Sequence, residues 1–209
     1  MMSATSPSFK PRWLATHIAA YTLCGALVIG VFLGARVMYY SVLLYQQLEL
    51  LSSGYVSTDG QSVMKLIQNG ALVNTCSGVG ICALDIASYN RDVDGIAFLL
   101  QRGAYVDGPK PHLGTPLMTA SGTGQVATVD QFIRAGADVN AKSQDGYTVL
   151  FWAVQGGEPR VVNLLIVAGA DARELFPLPG KPGRKVTPLA YARLRGKDNV
   201  ADEISRFVE

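Results

Sequence analysis

The chain has 209 residues and sets 18 Lys and Arg against 16 Asp and Glu. A formal charge of +2 is too small to make the whole protein a nucleic-acid binder by charge alone. Hydrophobic residues reach 49% while charged residues stop at 16%, under the ~25% of ordinary soluble domains, which argues against disorder and for a segment buried in lipid.

The first element supplies that segment. Between Arg12 and Arg36, the run Trp13 to Ala35 carries no formal charge. As a helix rising ~1.5 Å per residue it would span about 35 Å, enough for a ~30 Å hydrocarbon core. Trp13 at one end and Tyr39-Tyr40 at the other suit the two interfaces. The run is longer than the ~7–15 residues of a secretory signal core, and Leu33-Gly34-Ala35 is a poor cleavage site, so an uncleaved anchor is expected. Gly30 and Gly34 match the small-residue spacing of close helix contacts and predict at most weak self-association. Lys10 and Arg12 precede the span and only Arg36 closely follows it. The positive-inside rule therefore predicts a cytoplasmic tail over 1–12, a transmembrane helix over 13–40 and an exported domain over 41–209.

The rest of the chain repeats. Gly70-Ala71, Gly103-Ala104, Gly136-Ala137 and Gly169-Ala170 recur every 33 residues, each after an apolar helical stretch such as Ile96–Leu100. Each pair precedes a polar turn and a second helix start: Cys82-Ala83-Leu84, Thr115-Pro116-Leu117, Thr148-Val149-Leu150 and Thr187-Pro188-Leu189. Glycine ends a helix because it takes a left-handed conformation without a Cβ penalty; threonine then caps the next helix, and proline fits its first turn. Helix pairs of this kind bury their apolar faces only by stacking on neighbours.

Period, Gly-Ala ends and Thr-Pro-Leu-x-x-Ala starts resemble the ankyrin repeat, and Gly136-Ala137-Asp138-Val139-Asn140-Ala141-Lys142 is close to that family's pattern. The resemblance covers roughly 45–209. It implies an all-α ankyrin-repeat solenoid of about five helix-turn-helix repeats with short β-hairpin-like fingers, here preceded by a single transmembrane helix. The departures are specific. Asp85, Met118, Phe151 and Ala190 stand where the family usually has His. Thr148 to Thr187 is longer than the period, the surplus falling in the Pro/Gly-rich loop Leu175–Lys185. The first repeat lacks a Thr-Pro-Leu start, so the membrane helix is expected to run on into an inner helix near 42–53. Asn199–Glu209 reads as a polar C-terminal cap.

No motif carries chemistry. His-Glu-x-x-His, Gly-x-Ser-x-Gly and a Walker loop do not occur, and the two glycine-rich stretches at Gly78–Ala83 and Gly122–Ala127 follow no strand of a βαβ unit. No catalytic residue, cofactor or metal site is expected, and His112 reads as a surface residue beside Lys110 and Pro111. Cys76 and Cys82 flank one finger. They form a disulfide if the domain is exported and remain thiols if it is cytosolic. Lys181, Arg184, Lys185, Arg193, Arg195 and Lys197 form a basic cluster, either solvated or facing an acidic partner or anionic lipid. Nucleic acid is not expected, since residues 40–209 balance 15 basic against 16 acidic side chains.

The resemblance implies a non-enzymatic protein-binding module whose finger tips and inner-helix faces form a concave surface. Carried over by register, its contact positions are Val79, Ile81, Tyr89, Asn90, His112, Thr123, Gln144, Asp145, Tyr147, Gln155, Arg184, Val186 and Arg195. A single anchor followed by such a domain looks like bacterial inner-membrane proteins with periplasmic ankyrin repeats. Among these are immunity proteins that neutralise a secreted toxin, commonly a lipase. Two alternatives remain open at this point: a periplasmic scaffold or partner of antioxidant or envelope enzymes, and a ligand-sensing regulatory subunit of an enzyme or transporter.

Overall fold

A computed structural model describes residues 33–48, 60–78, 80–109 and 114–208. Most of the expected span, including Trp13 and Gly30, lies outside the described residues, as do Val79 and His112. Among the described residues, no helix is long and apolar enough to cross a membrane.

The architecture is a stack of antiparallel helix pairs. Helix α1 covers 33–48. It is followed by α2 (Gly60–Gln68), α3 (Ala83–Tyr89), α4 (Val93–Gln101), α5 (Pro116–Gly122), α6 (Val126–Arg134), α7 (Val149–Gly156) and α8 (Pro159–Val167). The strands β1 (Phe176–Pro177) and β2 (Lys185–Val186) come next, then α9 (Pro188–Leu194) and α10 (Asp198–Val208). Helices α3, α5, α7 and α9 form the inner row, and α4, α6, α8 and α10 the outer row. One apolar core runs the length of the stack, from Leu44 and Leu48 through Ile96, Leu117, Phe132, Leu150 and Leu165 to Ile204.

The local signals act as the sequence suggests. The hydroxyls of Thr115, Thr148 and Thr187 accept hydrogen bonds from the backbone N–H of Met118, Phe151 and Ala190, at 3.3, 3.2 and 3.2 Å. Each satisfies a donor that the helix itself leaves open. The periodic glycines after the outer helices all hold positive φ, from 81° at Gly103 to 112° at Gly70, where a Cβ would be strained.

Two regions depart from expectation. Helix α1 is unbroken from residue 33, inside the apolar run, to residue 48, whose side chain is fully buried in the core. Arg36 Nε donates to the carbonyl of Asn69 at 3.1 Å, and Leu72 N–H donates to Ser41 Oγ at 3.0 Å, so α1 lies antiparallel to α2. The inner helix of the first repeat thus starts earlier than 42. The loop Leu175–Lys185 is also not irregular throughout. Its ends pair as β1 and β2, with Phe176 opposite Val186 and Pro177 opposite Lys185. Phe176 is driven inward, fully buried against Phe151 and Tyr191 at ring-centre distances of 4.9 and 5.4 Å. Burying an aromatic ring of that size is what gives so long a finger its order.

Candidate binding surface on the concave face

Successive fingers are tied by side chains at one register position. Asn74 accepts from Tyr105 N–H at 2.9 Å and donates from Nδ2 to the carbonyl of Gly103 at 3.0 Å. One repeat pair further on, Asn140 does the same with Asp171 N–H and the carbonyl of Gly169, at 2.9 and 3.0 Å. Between them, at the same register, stands Asp107. It accepts from Asp138 N–H at 3.0 Å, but a carboxylate has no N–H to return. The repeat therefore loses half of its clamp at this position and gains a charge.

Asp107 lines a cavity of about 570 Å³ that runs from the second to the fourth repeat. Asp85, Tyr89, Asp107, Met118, Thr123 and Trp152 are among the residues lining it, with Ile81 and Gln155. Asp85 sits in the first turn of α3, where its Oδ2 accepts from Cys82 N–H at 2.8 Å. This bond is the returning half of a capping box and holds the carboxylate at the helix start. Burial pushes the Asp85 carboxyl up to about 6, against the lowering effect of that backbone bond. Burial also raises Asp107, with the neighbouring Asp138 adding to the rise. Neither carboxylate forms a salt bridge among the described residues; the ion pairs present are Arg134–Asp130, Lys142–Glu174 and Arg206–Glu203.

The finger that leads into α3 is closed covalently: Cys76 and Cys82 form a disulfide, their Cα atoms 4.2 Å apart. The turn inside it is held by Ser77 N–H to the carbonyl of Ile81 at 2.8 Å and Gly80 N–H to the carbonyl of Ser77 at 2.9 Å. The finger at 142–148 has the same turn with Ser143, Gly146 and Tyr147, without a disulfide.

The thirteen sequence-derived contact positions divide into groups. Ile81, Tyr89, Thr123 and Gln155 line the cavity, and Tyr89 is 62% exposed there. Gln144 and Asp145 are exposed at the tip of the 142–148 finger. Tyr147 is half-buried and stacks on Phe151 at 4.2 Å, so part of its ring serves the core. Asn90 is the half-buried C-terminal cap of α3. Val186 is half-buried in the β1–β2 pair, while Arg184 and Arg195 are exposed, and none of the three lines the cavity. Val79 and His112 lie outside the described residues.

Contact positions transferred by register missed Asp85, Asp107, Met118 and Trp152 as lining residues. A signal for two of them existed. Asp85 is the charged residue in a row that otherwise reads Met118, Phe151, Ala190, and Asp107 interrupts the pair Asn74, Asn140. Among the described residues no cluster of His, Cys, Asp and Glu is arranged to hold a metal ion.

Comparison with known proteins agrees with this geometry. Residues 107–176 match the family model described as ankyrin repeats in three copies. Over 73 residues the chain is 42% identical to Ankyrin repeat and SOCS box protein 5 of Oryctolagus cuniculus, covering 35% of this chain and 22% of that protein. It is also 35% identical over 85 residues to Ankyrin repeat and KH domain-containing protein mask-1 of Caenorhabditis elegans, covering 41% of this chain and 3% of that protein. The matched stretches thus span about a fifth or less of these relatives' own length. Residues 107–176 thus carry ankyrin repeats, in line with the stack of helix pairs.

Proposed function

We propose that this protein is a membrane-anchored module that binds a protein partner on its concave face, in an exported, oxidising compartment. The observation that carries the reading is the cavity running from the second to the fourth repeat, lined by an exposed tyrosine, a tryptophan and two carboxylates. Concave, partly apolar sites with a few placed polar groups are where binding energy concentrates.

Two features support the anchor and the compartment. The apolar run Trp13–Ala35 overlaps the start of α1 in sequence, and α1 keeps Leu33, Met38, Tyr39 and Val42 exposed on the stretch nearest that run. Such side chains are stable at a bilayer interface. The disulfide at Cys76–Cys82 suits an oxidising space, in line with a cytoplasmic N-terminus and a periplasmic domain of an inner-membrane protein. The partner class implied by the resemblance is a secreted toxin, such as a lipase, that the domain neutralises.

Affinity capture of the full-length protein from membranes tests the reading. A stoichiometric protein lost on combining Tyr89→Ala with Asp145→Ala supports it. A partner kept by that variant but lost when residues 13–35 are replaced by another span moves recognition into the membrane and contradicts it.

A further inference from the structure

We propose that the cavity running from the second to the fourth repeat seats an arginine side chain presented by the partner protein, held between Tyr89 and Trp152 and neutralised by Asp85 and Asp107. This inference rests on the protein-binding reading above and names the chemistry of its anchor.

Charge complementarity decides the occupant. Among the described residues lining the cavity there are two carboxylates and no Lys, Arg or His. Two described cations bond backbone carbonyls of lining residues and form no ion pair with either carboxylate. Arg91 Nη2 donates to the carbonyl of Thr123 at 3.2 Å, and Lys197 Nζ donates to the carbonyl of Gln155 at 2.7 Å. Among the described residues, no cation compensates the two carboxylates, and a guest cation would. Burial holds the Asp85 carboxyl at a higher pKa than an exposed one, the mark of a charge without a counter-ion, and a seated cation would reverse it.

Both carboxylates also stand where the other repeats do without them. The register of Asp85 continues as Met118, Phe151 and Ala190, and that of Asp107 is Asn74 and Asn140. At the second of these, asparagine makes two inter-repeat bonds where aspartate makes one. Asp107 thus gives up one inter-repeat bond and puts a carboxylate in the cavity lining.

The walls select a guanidinium over a bare ammonium. A planar, weakly hydrated cation stacks on aromatic faces and bonds carboxylates two at a time. Trp152 lines the cavity from α7, so its indole supplies one of those aromatic walls. At about 570 Å³ the cavity takes an arginine together with part of its flanking backbone.

Trp152 is also the reporter. The chain has two tryptophans, so in full-length Trp13→Phe protein the indole emission belongs to Trp152. Titration with N-acetyl-arginine amide is expected to give a saturable emission change, while N-acetyl-citrulline amide, its neutral isostere, binds at least about tenfold more weakly. Asp85→Asn and Asp107→Asn should each weaken the arginine compound about tenfold, with circular dichroism melts showing both variants folded. Should Asp85→Asn fail to fold, Asp107→Asn alone gives the same reading.

Equal binding of the two amides, or no response of Trp152, overturns the proposal. Agmatine, a free guanidinium without peptide groups, preferred about tenfold over the capped residue would make the guest a small amine and overturn the protein source. The two readings fail separately. No arginine binding, with a captured partner still lost in the Tyr89/Asp145 variant, sinks the inference alone. Arginine binding, with a partner indifferent to that variant, sinks the protein-binding surface.

Discussion

The second and fourth repeats occupy the same fold with opposite priorities. In the fourth, Thr148 caps the inner helix, Phe151 fills the core beside Tyr147, Phe176 and Tyr191, and Gly157 takes the left-handed turn between helices at φ 77°. At the matching positions the second repeat has Cys82, Asp85 and Arg91. Cysteine closes its finger by a disulfide instead of capping with a hydroxyl, a carboxylate replaces an aromatic ring, and Arg91 holds φ 59° where glycine would be unstrained. The last two replacements are locally unfavourable. Asp85 lines the cavity, and Arg91 bonds the carbonyl of Thr123 at its rim. The fourth repeat is arranged to fold and the second to present a surface, and such local conflicts concentrate at functional sites.

Breaking the fourth repeat should therefore hurt most. Phe151→Ala removes a buried ring that touches four other aromatic residues and should cost about 3–5 kcal/mol, read as a large fall in Tm. A loss under about 1 kcal/mol would mean that the aromatic cluster is not what orders this half of the stack.

Removing the disulfide by paired Cys76→Ser and Cys82→Ser should cost about 2 kcal/mol, from the closure entropy of a short loop. The same loss should follow from adding reductant to the wild type, and the variant itself should be insensitive to it.

Asp85 gives the third contrast, with a defined sign. Its carboxyl titrates at about 6 when folded, above the 3.8 of a free carboxylate, so the folded state binds the extra proton between those values. Stability from this group is present below the lower value and is lost as pH rises through about 6. Asp85→Asn, which keeps an oxygen for Cys82 N–H, should gain on the order of 2 kcal/mol at pH 7.5 and almost nothing below pH ~4. Melts across that range decide it; a gain independent of pH would remove the buried charge from the account.

The smallest effect belongs to the turn. Arg91→Gly should raise stability by roughly 0.5–1 kcal/mol in denaturant titration, because a strained left-handed residue is relieved while one exposed hydrogen bond is lost. A loss of stability would show that the bond to Thr123 matters more than the strain.

The sequence carried the scaffold well and the site only in part. The 33-residue period, the threonine caps and the terminal glycines are local signals, each acting within one turn of its own helix, and the structure uses them where the sequence puts them. The cavity is not local. Trp152 reaches it from α7, Asp85 from α3 and Asp107 from the finger between them, so its lining depends on how far consecutive repeats rotate. Tyr89 and Gln155, named by register, line the cavity because they sit on the inner-helix face that every repeat shares. Asp107 was missed because a finger aspartate reads as an ordinary turn residue until Asn74 and Asn140 are seen to clamp the same position. The pairing of β1 with β2 was hidden by the proline and glycine content of the loop, and it follows from Phe176 finding the core.

Hydrogen exchange on the full-length protein, free and bound to the partner captured with it, tests the central claim most directly. The account predicts added protection over Gly80–Tyr89, Gly114–Thr123 and Trp152–Gln155, with the outer helices α4, α6 and α8 unchanged. Protection confined to those outer helices, with the concave segments exchanging as in the free protein, would contradict it.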